Sequence, residues 1–73
     1  MTNTELLKDI INKSGLKYGF IAKEIGLSRY GLKKKIENES SFKADEIQKL
    51  CNVLHIESYE EREKIFFAWF VGK

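Results

Sequence analysis

Apolar residues recur at helical spacing in five separate stretches of this chain. Over residues 4–14, Leu6, Leu7, Ile10 and Ile11 fall on one side, with Lys8, Asp9 and Asn12 on the other. Thr2 or Asn3 is positioned to cap this helix, and Gly15 to end it. The second stretch, residues 17–25, turns Ile21, Ala22 and Ile25 inward and stops at Gly26, a residue suited to the left-handed conformation that ends helices. Ser28, a good N-cap type, opens the third, which runs to about Glu37 with Leu32 and Ile36 one turn apart. Residues 38–41 are polar and read as a loop, with Phe42 tucked beneath it. In the fourth stretch, residues 44–55, Ile47, Leu50, Cys51 and Leu54 form an i, i+3, i+4, i+7 stripe. Ser58 followed three residues later by Glu61 matches a capping box and starts the fifth. Residues 65–71 are apolar on every side, and read equally as a buried helix or as an extended strand.

The pattern predicts an all-α fold of four to five helices around one core, with the C-terminal segment helical or extended. At 73 residues the chain makes one domain, with residues 58–73 as a C-terminal packing or dimerisation segment. A hydrophobic share of 42% and a charged share of 33% are those of a globular chain, and proline is absent. A chain of this size buries a modest core, which makes a homodimer physically attractive. One cysteine and one histidine exclude an internal disulfide and make a transition-metal site improbable, so neither a metal nor a cofactor is expected. The N-terminus does not read as a signal peptide, and no apolar run is long enough to span a bilayer. The expected location is a bacterial cytoplasm.

Charge is concentrated. Residues 13–35 hold Lys13, Lys17, Lys23, Arg29, Lys33, Lys34 and Lys35 against Glu24 alone, whereas residues 36–73 hold five basic and eight acidic side chains. One basic segment on a chain of net charge +2 suggests a face for a polyanion.

The second and third helices, joined by Gly26, Leu27 and Ser28, form the most informative unit. Ala22 lets the two approach closely, Gly26 makes the turn, and Leu27, Leu32 and Ile36 plug the angle between them. On these residues, within a frame of flanking amphipathic helices, the chain resembles the Cro and phage-repressor family of helix-turn-helix proteins over about residues 4–57. Small prophage-encoded regulators look especially similar. The resemblance implies a lambda-repressor-like DNA-binding domain whose third helix enters the major groove. It implies Arg29, Tyr30, Lys33 and Lys34 as base-reading positions, and Arg and Lys have the donors that guanine O6 and N7 accept. Ser28, Lys17, Tyr18 and Lys43 stand near helix starts, where phosphates are commonly held. Two positions depart from the family pattern. Tyr18 stands where glutamine is frequent, and Gly31 lies inside the third helix.

Plainer readings apply elsewhere. Lys35 turns toward the core side and Glu37 pairs or caps locally. Cys51 is a core thiol, His55 suits a helix C-terminus, and the Glu60, Glu61, Glu63 group suits a helix start. No nucleophile is spaced against a base, so catalysis is not expected. Phe66, Phe67, Trp69 and Phe70 exceed what one helix face usually buries and are expected at a dimer interface. The expected function is transcriptional control, as a Cro-like repressor dimer on an operator in double-stranded DNA. The alternative is a protein-interaction module, such as an antirepressor or antitoxin, on the same scaffold.

Overall fold

A computed structural model describes residues 1–67. Five helices run through them, α1 (Thr4–Ser14), α2 (Tyr18–Ile25), α3 (Arg29–Ile36), α4 (Ala44–Leu54) and α5 (Tyr59–Phe66), with no strand among the described residues. Local chemistry accounts for their ends. The Asn3 side chain accepts from the Leu6 amide to start α1, Ser28 accepts from Gly31 to start α3, and Ser58 accepts from Glu61 to start α5. Gly26 ends α2 at φ 81°, where its amide donates back to the carbonyls of Ala22 and Lys23. A side chain there would meet the left-handed penalty of about 1–2 kcal/mol.

The core gathers one face of every helix. Leu7, Ile11, Ile21, Ala22, Ile25, Leu32, Ile36, Leu50, Cys51, Leu54, Ile65 and Phe66 are buried, together with Ile56 from the connection before α5. Phe42 is the plug expected under the loop, half-buried and edge-on to Phe66 at a centroid distance of 5.5 Å. Helix α2 packs against both α3 and α4, while α1 reaches α3, α4 and α5.

The ends of the chain's described part are tied across the fold. Asn38, at φ 66°, uses its side-chain amide twice, accepting from the Thr2 amide and donating to the Thr2 carbonyl, each at 2.8 Å. The Asn3 amide donates to the Ile65 carbonyl at 2.6 Å, and the Thr4 hydroxyl to the Ile36 carbonyl, also at 2.6 Å. Residues 2–4 thus strap the C-terminal end of α3 to α5.

At the C-terminal segment the expectations divide. Residues 65 and 66 are helical, Phe67 leaves the helix, and the remainder of the 65–71 run lies outside the described residues. Phe66, one of the aromatics that the sequence assigns to a dimer interface, is instead 3% exposed inside its own chain, because Phe42 and the α1–α5 contact fill the space around it. Phe67 is half-buried, and Trp69 and Phe70 lie outside the described residues. No helix among the described residues is long and apolar enough to cross a membrane.

Candidate nucleic-acid interface

Helix α3 has two unlike faces. Leu32 and Ile36 point inward and are wholly buried, while Arg29, Tyr30 and Lys33 are exposed. Tyr30 is 71% exposed, and the Lys34 ammonium lies 5.5 Å from the centroid of its ring. That i, i+4 pairing is a surface cation–π contact of about 0.5–1 kcal/mol. It holds a ring and a positive charge side by side on the outer face of the helix.

The turn before α3 fixes how this face is presented. The Leu27 amide donates to the Ala22 carbonyl at 2.8 Å, locking the turn onto the last turn of α2. Ser28 Oγ accepts from the Gly31 amide at 2.9 Å. A Cβ at Gly31 would sit 3.1 Å from Ser28 Oγ, so the hydroxyl would have to give by a few tenths of an ångström.

Arg29 does not extend forward from the helix. Its guanidinium lies back across α2, so that a methyl group at Gly19 would be 3.6 Å from Nη2 and 3.8 Å from Nε, in ordinary contact. There it joins Lys8, Tyr18, Lys33 and Glu37 around one open recess between α1, α2 and α3. Lys8 Nζ and a Glu37 carboxylate oxygen are 2.5 Å apart across it. The hydrogen bond to Glu37 holds the Lys8 ammonium above the ordinary lysine range, outweighing a small loss of hydration, with the Glu37 and Tyr18 charges adding to the effect.

The remaining expected positions stand apart from this recess. Lys17 is the exposed N-cap of α2, and its side chain makes no capping bond. Lys43 occupies the N-cap of α4, where its amide donates to Glu46 Oε1 at 2.9 Å while its side chain is exposed. Lys35 turns inward and meets Glu46 Oε1 at 2.5 Å, with side-chain exposures of only 12% and 9%. The third lysine of the 33–35 run is thereby removed from the outer face. Lys8 is the residue that the sequence did not assign to the basic face. Its only signal was a polar place on α1, which does not say which neighbour it meets.

Phe20 is 49% exposed in a separate open apolar recess with Leu16 and Val53, edged by Glu24, Asn52 and His55. No group of three or more His, Cys, Asp or Glu among the described residues is positioned to hold a metal.

Over residues 3–69 the chain matches a family described as "Protein of unknown function (DUF739)". No curated protein and no solved structure matches it.

Proposed function

We propose that this chain, which belongs to the DUF739 family, is a sequence-specific double-stranded DNA-binding regulator of the helix-turn-helix kind. The observation that carries this reading is the division of α3. Two buried residues, Leu32 and Ile36, anchor it, and its exposed surface holds Arg29, Tyr30 and Lys33 beside Lys34. The fixed turn at residues 26–28 sets the angle of that surface to α2. In this reading phosphate contacts supply most of the affinity, and side chains on the outer face of α3 supply the choice of sequence.

The functional form is a homodimer that represses by occupying an operator. Two copies of α3, about one DNA turn or roughly 34 Å apart, would read a near-palindrome. Phe67 lines an apolar recess with Ile47 and Tyr59, and with Trp69 and Phe70 it forms the proposed contact between copies. Phe66 has no part in it.

Selection of bound duplexes from a random library, followed by affinity against salt, tests the reading. An enriched inverted repeat and a steep fall of log K with log salt are expected, and Lys34→Glu should abolish the binding. No enrichment and sequence-blind, weak binding would overturn it. A second reading, a protein-interaction module, draws on the half-exposed Phe20 beside Leu16 and Val53. Under it, Lys34→Glu leaves function intact and Phe20→Ser does not.

A further inference from the structure

The recess between α1, α2 and α3 has a composition suited to one small anion. Three cations, Lys8, Arg29 and Lys33, and the Tyr18 side chain converge on it from three helices, against a single carboxylate, Glu37. That carboxylate is engaged with Lys8 at 2.5 Å, which removes one cation and one anion together. Arg29 and Lys33 remain as the uncompensated charges, with the phenol of Tyr18 beside them. Arg29 is the member whose position is least expected. As the first residue of α3 it could extend along the helix toward a base edge, yet its guanidinium lies back across Gly19 at the start of α2. The outer face is left to Tyr30 and Lys34.

We infer that this recess seats one backbone phosphate of the duplex, with Arg29 and Lys33 as its ligands, so that Arg29 holds the backbone and does not read a base. The inference rests on the DNA-binding reading and deepens it. A guanidinium beside an ammonium and a phenol matches the oxygens of a phosphodiester, to which Arg can donate two parallel hydrogen bonds. Base reading needs the guanidinium extended to the paired acceptors of a guanine. An arginine folded onto a neighbouring helix is turned away from the outer face of α3, where a base edge would be met, and toward the recess. Glu37, held by Lys8, presents no free charge to repel that phosphate.

The two roles separate experimentally. Affinities of the wild type, Arg29→Gln and Arg29→Lys are measured over a range of KCl, on the selected duplex and on a scrambled duplex of equal length. A thermal melt confirms that each variant is folded, as expected for an exposed side chain. Arg29→Gln should weaken both duplexes by the same factor, about tenfold at low salt, and flatten the log–log salt slope by about 0.9. Arg29→Lys should recover the slope. A loss on the selected duplex that exceeds the loss on the scrambled one, with relaxed preference at one base pair, would make Arg29 a base reader and overturn the inference. So would an unchanged slope in Arg29→Gln. Both results would leave the DNA-binding reading standing. A wild type that binds neither duplex would overturn that reading and the phosphate seat with it.

Discussion

Lys35 of α3 and Glu46 of α4 meet at 2.5 Å with both side chains nearly withdrawn from solvent, and the same Glu46 oxygen accepts the Lys43 amide that opens α4. One carboxylate therefore caps one helix and anchors another. Burial pushes the Glu46 carboxyl upward, but the hydrogen bonds from Lys35 and Lys43 and the two positive charges outweigh it and leave it below its usual value.

Because the folded value lies below the unfolded one, this contribution is complete above the unfolded value, near pH 4.5, and disappears as pH falls through the folded one. Glu46→Gln should lower stability at pH 7 by about 2 kcal/mol, on the scale of a charged hydrogen bond that is lost. It should also flatten the acid limb of the stability curve. Urea melts of both proteins between pH 3 and pH 7 check this, and parallel acid limbs would count against it.

Asn38 combines a left-handed backbone with a two-way amide bond to Thr2. Asn38→Gly keeps the backbone freedom and loses the strap, whereas Asn38→Ala loses both. Both variants should be less stable than the wild type, and alanine less stable than glycine by about 1 kcal/mol, the left-handed penalty of a residue with a Cβ. Equal denaturation midpoints for the two variants would show that the backbone conformation contributes nothing.

Lys8 and Glu37 neutralise one another within the recess. On the DNA-binding reading, Lys8→Gln should weaken duplex binding and flatten its salt slope, because it releases the Glu37 carboxylate to offset Arg29 and Lys33. Glu37→Gln should steepen the slope by about 0.9 by freeing that charge, and the double variant should return it to the wild-type value. A double variant whose slope stays as flat as that of Lys8→Gln would place Lys8 itself against the duplex in the wild type.

The helices were legible because their signals are local. Asn3, Ser28 and Ser58 cap within three residues of themselves, Gly15 and Gly26 stop helices where they stand, and the stripes through Ile11, Leu32 and Leu50 need only the 3.6-residue period. The links that the sequence left open are those between helices. Thr2 and Asn38 are 36 positions apart, and Lys35 and Glu46 are 11. Periodicity gives the face that a residue occupies but not the crossing of the helices that brings two faces together. The sequence turned Lys35 inward correctly and named no acid for it. Phe66 shows the converse. An apolar run overfills one helix face in sequence, and only the arrangement of α1, α5 and Phe42 decides which aromatic is taken inside. In the candidate site, Arg29 and Lys33 were legible in the charge run over residues 13–35 and Lys8 was not, while the backward course of Arg29 depends on how α2 lies under it.

Cys51, the chain's single thiol, sits on α4 at 1% exposure. A thiol reagent in water cannot reach it until α4 comes away from its neighbours. The rate at which Cys51 is captured is therefore a stopwatch for the opening of the fold. It reads the opening rate itself when capture outruns reclosing, and the open population when it does not. Any ligand that favours the closed form must slow the stopwatch in proportion to its occupancy. The molecule thus carries, at the centre of its core, an unlabelled gauge of whatever binds its surface.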